Sequence, residues 1–208
     1  MLSMDASLVF RIPALLFTLT VHEYAHGAVS TSLGDPTPEM DGRLTMNPLA
    51  HLDLIGTLML VLVGFGWAKP VQINPRYYQN PRTGIMKVAF AGPGSNLLLA
   101  FLALFLQIFL VRFLQPGMGV MYFLRWLMLY NVWFAFFNLL PIPPMDGYNI
   151  LREWLPYDKA MAYERLIGPY TNLILIVVCF TGLVNIIVSP LANLYLNLCQ
   201  ALISLVFF

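Results

Sequence analysis

The chain has 208 residues, of which 59% are hydrophobic and 10% are charged, whereas an ordinary soluble domain carries roughly 25% charged residues. So few charges cannot cover a water-facing surface. A formal net charge of +1 without a basic cluster excludes a nucleic-acid-binding protein, and two cysteines exclude a disulfide-rich secreted domain. The composition therefore predicts a polytopic protein of the lipid bilayer.

Long runs without charged residues locate the membrane spans, since a helix needs roughly 20 apolar residues to cross a bilayer. In chain order, spans are predicted at about 9–32, 85–114, 120–140, 168–188 and 191–206. The last two share one uncharged run, and the break between them is placed near Ser189 and Pro190. The predicted fold class is an all-α polytopic membrane protein with about five to six transmembrane helices.

The apolar run 54–66, between the first two spans, is short for a crossing and fits a re-entrant segment that dips into the membrane. No linker is long enough to separate a second folded domain. Residues 1–208 are therefore predicted to form one membrane-embedded domain, with a core over 8–151 and C-terminal helices over 168–208.

Basic residues predict the orientation of the chain. If the run 54–66 does not cross, two spans separate the loop 67–87 from the stretch 146–165, and both lie on one side of the membrane. Basic loops favour the cytoplasm, so this side is predicted to be cytoplasmic. The basic residues are Lys69, Arg76, Arg82 and Lys87 in the first loop and Arg152, Lys159 and Arg165 in the second.

The first predicted span contains the sequence His22-Glu23-Tyr24-Ala25-His26. On a helix, His22 and His26 project from one face one turn apart, so two imidazoles can bind one metal ion. Glu23 is rotated by about 100° and can act as a general base on water, as in zinc proteases. An unpaired charge within a span costs about 2.5–3.5 kcal/mol, so this cluster indicates a functional site rather than a polar contact between helices.

A catalytic zinc site needs a third protein ligand and one open position. Asp146 is the candidate, because it follows Pro141, Pro143 and Pro144, which end a span at the membrane edge. Asp146-Gly147 taken alone is also typical of a turn or a helix cap. The predicted topology favours the ligand, since two spans separate Asp146 from the cytoplasmic half of the first span.

Three sequence motifs resemble those of the site-2 proteases and occur in the same order along the chain. The site-2 proteases are membrane-embedded zinc metalloproteases of the peptidase M50 type that cleave within or beside a transmembrane helix. Residues 22–26 match the family's HExxH motif, and residues 138–147 match its NxxPxPPLDG motif with Met145 in place of the usual leucine. Residues 92–96 match its GPxxN motif. The resemblance covers about 8–151 and is to a compact, core-only member without inserted regulatory domains.

The resemblance implies that the two histidines of HExxH and Asp146 bind one zinc ion per chain. It also implies that Glu23 activates the water that attacks the peptide carbonyl. Asn96 and Asn138 are candidates for holding the substrate backbone or the developing oxyanion, which aligned donors stabilise. Interhelical hydrogen bonding is the alternative role for both asparagines.

The segment 64–74 resembles the membrane-dipping strand region of the same family. A helix hides its backbone carbonyls, so an exposed strand edge could pair with an unwound substrate and present its peptide bond. Trp67, Ala68 and Lys69 are therefore candidate substrate-binding residues, and Pro70 is compatible with an edge strand. An interfacial loop anchored by Trp67 is the alternative.

His51 and Asp53 are candidates for a gate that controls substrate entry, or for a temporary metal ligand. They lie in the loop that follows the first span, close in sequence to the dipping segment. The alternative is an ordinary capped loop histidine exposed to solvent.

The sequence therefore predicts an intramembrane zinc endopeptidase that acts on transmembrane protein substrates. It is expected in a prokaryotic cell (inner) membrane, as a multi-pass protein with its active site nearer the cytoplasmic side. A divalent metal permease is one alternative. It would need further ligands on a second helix to pass the ion along, and only Asn96, Gln107 and Asn131 are available for this. A proteolytically inactive, helix-binding relative is another, although every catalytic position is present. The oligomeric state stays open.

Overall fold

The structure is a computed structural model that describes residues 7–56 and 68–207. Three short 3₁₀ turns, at Pro48–His51, Pro75–Tyr77 and Gly168–Tyr170, accompany the α-helices. The α-helices whose two ends lie within the described residues are, in chain order, α1 (Leu8–Ser32), α2 (Thr37–Met40), α3 (Pro81–Phe113), α4 (Met118–Asn138), α5 (Asp146–Trp154), α6 (Tyr157–Ile167), α7 (Thr171–Phe180) and α8 (Leu183–Phe207).

The long helices α1, α3 and α4 pack against one another and form the centre of the fold. Small side chains lie where they cross: Ala14 of α1 and Ala103 of α3 are buried together with Leu127 of α4. Alanine lets helix backbones approach closely, which favours helix association in a membrane, where burial of apolar surface provides little driving force. The same rule applies to α8, where Ala192 packs with Ala100 and Val132.

Four helices among the described residues are long and apolar enough to cross a membrane, namely α1, α3, α4 and most of α8. The protein is therefore a multi-pass membrane protein, as predicted. The predicted count of five to six spans is not confirmed, because α7 has 10 residues and a crossing needs roughly 20.

The predicted break near Ser189 and Pro190 is wrong. Pro190 lies inside α8, where a membrane helix can tolerate proline because neighbouring groups satisfy the freed carbonyl. The chain turns instead at Thr181 and Gly182, where Gly182 has a φ of +75° that favours glycine.

The segment between α1 and α3 shows no strand among its described residues. Leu52 and Ala68 form a single antiparallel bridge, and the N–H of Lys69 donates a 2.9 Å hydrogen bond to the carbonyl of His51. Residues 57–67, with most of the run 54–66 and Trp67, lie outside the described residues. The predicted re-entrant strand is therefore not confirmed.

The guanidinium of Arg82 connects the beginning of α3 to the end of α5. It donates to the carbonyls of Glu153, Trp154 and Leu155, at 3.1 Å and 2.9 Å for the last two. A cation stabilises the unpaired carbonyls at a helix C-terminus. The contact brings the basic loop before α3 and the basic stretch 146–165 to the same end of the molecule.

Candidate metal centre

The side chains of His22, His26 and Asp146 meet at one point in the structure. The Nε2 atoms of the two histidines are 3.0 Å apart, and Oδ2 of Asp146 lies 3.2 Å from His22 Nε2 and 3.3 Å from His26 Nε2. Both histidines are buried within α1. His22 lies about 15 Å from the C-terminal end of this helix. Among the described residues, these three form the one group suited to hold a metal ion.

Asp146 reaches this point because α4 ends at Asn138 and α5 begins at Asp146. The turn between them folds so tightly that a Cβ at Gly147 would overlap the main-chain carbonyl of Leu139. Only glycine lacks this atom. The glycine after the aspartate is therefore needed to bring the beginning of α5 against the end of α4.

Hydrogen bonds on the outer sides of the imidazoles determine which nitrogen faces the centre. Nδ1 of His26 lies 2.7 Å from the carbonyl of Val88, and Nδ1 of His22 lies 2.6 Å from Oδ1 of Asn96. A carbonyl can only accept, so His26 carries a proton on Nδ1, and in the neutral imidazole the lone pair is then on Nε2. The Asn96 contact gives His22 the same tautomer, which is the form that binds metals through Nε2.

With both imidazoles neutral, the three converging atoms are all acceptors. Among the described residues, Oδ2 of Asp146 is buried without a hydrogen-bond partner, and the Nε2 atoms of His22 and His26 face it. Such a cluster repels itself unless a cation lies between its members. Ligand atoms of tetrahedral zinc, at bonds of about 2.0–2.1 Å, lie roughly 3.3 Å apart. The donor set and its spacing therefore fit zinc.

Gly92 of α3 leaves the space in which the two imidazoles pack. A Cβ at this position would lie 2.5 Å from His26 Nε2 and 2.6 Å from Cε1 of His22. Any side chain would displace the ligands. This contact explains the first glycine of the motif over residues 92–96, and the bond from Asn96 to His22 explains its last residue.

Glu23 lies beside this cluster, and a main-chain group holds its carboxylate. Oε2 accepts a 3.0 Å hydrogen bond from the N–H of Val71, and the residue is buried. Val71 belongs to the segment 68–74, which precedes the 3₁₀ turn Pro75–Tyr77. This segment therefore passes directly over the proposed general base.

Asp35 anchors the far end of the same segment and is completely buried. Its Oδ2 accepts hydrogen bonds from the N–H of Asn74 and from the Ser30 hydroxyl, both at 2.7 Å, and Oδ1 accepts one from the N–H of Thr37 at 2.9 Å. Burial alone would raise the pKa of Asp35, but the bonds from Thr37, Asn74 and Ser30 outweigh burial and hold the pKa below its ordinary value.

Tyr78 extends this anchor to the beginning of α3. Its hydroxyl lies 2.7 Å from Oγ of Ser30, and burial, together with the nearby charge of Asp35, raises the pKa of Tyr78 despite that hydrogen bond. The phenol therefore stays neutral at physiological pH, so it can hydrogen-bond without adding a charge.

Arg43 anchors the near end of the segment. The guanidinium is buried and donates to the carbonyls of Ala50 and Lys69. It therefore holds the loop after α1 against the start of the segment 68–74. With Asp35 at the other end, the main chain above Glu23 is held at two points.

Asn96 and Asn138, predicted to hold substrate, occupy different environments. Asn96 is completely buried, and its two amide hydrogens go to the carbonyl of Thr18 at 3.1 Å and to Oδ1 of Asn131 at 2.6 Å. No amide hydrogen of Asn96 is left for a substrate, so the contacts favour a role in orienting His22. Asn138 is partly exposed and donates to the carbonyl of Phe134 in its own helix.

The predicted gate residues lie outside the metal cluster. His51 is buried rather than exposed to solvent, and its Nε2 lies 2.9 Å from the carbonyl of Thr45. Its Nδ1 has no hydrogen-bond partner within residues 7–56 and 68–207. Asp53 accepts a hydrogen bond from the N–H of Gly56 at 2.7 Å. The structure does not group either residue with the three candidate ligands.

Sequence reasoning misses several residues that build the site. It offers Asn131 only as a transport ligand, although a polar residue inside a span is itself a signal of function. Asp35 is typical of a turn residue, and nothing in its local sequence reveals its partners. The N–H of Val71 and the carbonyl of Val88 act through the main chain, so residue type carries no signal for them.

Comparison with known proteins gives a consistent result. The model of peptidase family M50 matches residues 112–165. A Bacillus subtilis protein named as a zinc metalloprotease, YwhC, is 35% identical over 88% of this chain and 86% of its own length. Rip2 of Mycolicibacterium smegmatis, also named as a zinc metalloprotease, is 30% identical over 85% of this chain and 69% of its own. No solved structure matches the chain significantly.

Proposed function

Because this chain belongs to peptidase family M50, the site-2 proteases, and is a metalloprotease, we propose that it is an intramembrane endopeptidase with one zinc ion per chain. Its substrates are membrane proteins, cut within or next to a transmembrane segment. The observation that carries the proposal is the cluster of three acceptor atoms, from His22, His26 and Asp146, at mutual distances of 3.0–3.3 Å inside an apolar bundle.

His22, His26 and Asp146 would hold the zinc, and three protein ligands is the number typical of catalytic zinc sites. Bound zinc supplies a Lewis acid that activates water at neutral pH. Glu23 takes the proton from the attacking water and passes it to the leaving amine. The N–H of Val71 donates a hydrogen bond to Oε2 of Glu23. The other carboxylate oxygen of Glu23 can therefore take the proton.

Substrate binds along the segment 68–74 in this proposal. Its position over Glu23 supports this role, because a chain segment paired with it would pass the reacting centre. Ala68 and Lys69 pair with the loop at Leu52 and His51 on one side, and an extended substrate would use the other. Trp67, which precedes the segment in the sequence, stays a candidate substrate contact. Asn138 donates one amide hydrogen to the carbonyl of Phe134, and its second amide hydrogen stays a candidate oxyanion donor.

The active site is nearer the cytoplasmic side of a prokaryotic cell membrane in this proposal. The contacts of Arg82 with the end of α5 support it, because they bring the two basic stretches to the same end of the molecule. Basic segments favour the cytoplasm. His22 is closer to the C-terminal end of α1, at Ser32, than to its N-terminal end, at Leu8.

Cleavage of a single-span membrane protein in proteoliposomes tests the proposal. The zinc-loaded protein should cut this substrate. Glu23→Gln should keep its zinc and lower the cleavage rate by at least about 100-fold. Glu39→Gln, at an exposed position, should cleave as wild type does. If wild type and Glu23→Gln are equally inactive on a panel of such substrates, the proposal fails. Zinc flux into the vesicles under those conditions would instead support a permease.

A further inference from the structure

Asn131 lies in α4 and is not one of the three candidate zinc ligands, yet hydrogen bonds connect it to His22. Its Oδ1 accepts from Nδ2 of Asn96 at 2.6 Å, and Oδ1 of Asn96 lies 2.6 Å from His22 Nδ1. Both asparagines are completely buried. We propose that Asn131 is a positioning residue that acts through Asn96 to keep the proton of His22 on Nδ1, so that Nε2 faces the metal. This inference rests on the zinc site proposed above.

Main-chain carbonyls fix the direction of these hydrogen bonds. Nδ2 of Asn131 lies 2.8 Å from the carbonyl of Leu127, and Nδ2 of Asn96 lies 3.1 Å from the carbonyl of Thr18. Since a carbonyl can only accept, each amide must turn its nitrogen towards it. The oxygen of Asn131 then faces Asn96, and the oxygen of Asn96 faces His22.

The Thr18 hydroxyl supports the same direction. It donates to the carbonyl of Ala14 at 2.8 Å and therefore accepts the second amide hydrogen of Asn131, also at 2.8 Å. All four amide hydrogens of Asn96 and Asn131 are thus used. The network spans α1, α3 and α4 and contains no group that can reverse its direction alone.

Reversal is costly because the network is buried in the apolar bundle. If the Asn96 amide rotated, its oxygen would face two acceptors, Oδ1 of Asn131 and the carbonyl of Thr18. An unsatisfied buried polar group is expensive, and no water is available in the membrane to replace the lost partners. Without Asn131 only Thr18 opposes the rotation. Part of the His22 population would then carry its proton on Nε2, where the metal must bind.

Zinc affinity of Asn131→Leu tests the inference. In the purified full-length protein, competition with a chelator should show zinc binding weakened by about 10–100-fold, the range for losing an outer-shell partner. Thr20→Val is the matched control, because the buried Thr20 hydroxyl donates only within α1, to Leu16. Its zinc affinity should equal that of wild type, and the same loss in both variants would overturn the inference.

Nitrogen NMR of the zinc-free protein gives a second readout that needs no activity. The chain has three histidines, so a histidine-labelled sample can be assigned. Wild-type His22 should carry its proton on Nδ1, and Asn131→Leu should shift part of the population to Nε2. A wild-type His22 protonated on Nε2 would overturn the inference even if the variant failed to fold. A protein that binds zinc and shows this tautomer but cleaves nothing would contradict only the proposed function.

Discussion

The main-chain N–H of Val71 donates a 3.0 Å hydrogen bond to Oε2 of Glu23. The two residues are 48 positions apart in the chain, and the bond joins the segment that we propose for substrate binding to the proposed general base. Substrate pairing along this segment and orientation of the base therefore depend on the same piece of main chain.

Val71→Pro removes this donor and leaves the carboxylate of Glu23 without it. A hydrogen bond to a charged group contributes about 1.5–3 kcal/mol, so we expect the cleavage rate to fall by at least about tenfold. Zinc content should stay the same, because the bond that is lost goes to Glu23 and not to a candidate ligand. Val71→Ala keeps the N–H and should retain most activity. A Val71→Pro protein that cleaves as fast as wild type would show that the bond does not position the base.

Gly92→Ala should abolish tight zinc binding. The new methyl group would lie 2.5 Å from His26 Nε2 and 2.6 Å from His22 Cε1, distances at which the imidazoles must move. Gly94→Ala is the matched control on the same helix, because its methyl group would meet only the ring of Phe90, at 3.3 Å. Zinc content measured by mass spectrometry after purification checks the pair. Equal zinc content in both variants would contradict the geometry.

Asp35→Asn should destabilise the protein at neutral pH, and the difference should vanish in acid. The pKa of Asp35 is lowered in the folded state. Its contribution is therefore present above the unfolded pKa, about 3.9, and is lost as the pH falls through the folded pKa. Melting temperatures in detergent between pH 7 and pH 3 measure this. The exposed Asp41→Asn serves as control, and a difference independent of pH would contradict the assignment.

Arg43→Lys should loosen the loop between α1 and the segment 68–74. Lysine lacks the planar fork with which the guanidinium reaches the carbonyls of Ala50 and Lys69 together. Limited proteolysis should therefore cut within 41–56 faster in the variant than in wild type. Arg76→Lys, at an exposed position, should leave the cutting rate unchanged. If both variants are cut equally fast, Arg43 does not hold the loop.

Much of the fold is predictable from the sequence because the relevant signals are local. A run of apolar residues of bilayer length predicts a span wherever it occurs, and α1, α3 and α4 agree with prediction within a few residues. The break between the last two helices is misplaced, because proline is a strong local signal for the end of a helix and Pro190 instead lies inside α8. The chain turns at Gly182, which has a positive φ. The residues around Gly182 carry no local signal as strong as proline.

The sequence by itself determined which side chains are the candidates for the chemistry. The spacing of His22 and His26 puts them on one helix face by periodicity alone, and a glutamate between them inside a span indicates function because a buried charge is costly there. Tertiary structure decided what surrounds them, because those contacts join residues far apart in the chain. Asn96 reaches His22 across 74 positions and Asn131 reaches Thr18 across 113. Helix packing brings these partners together, and no local pattern predicts that packing.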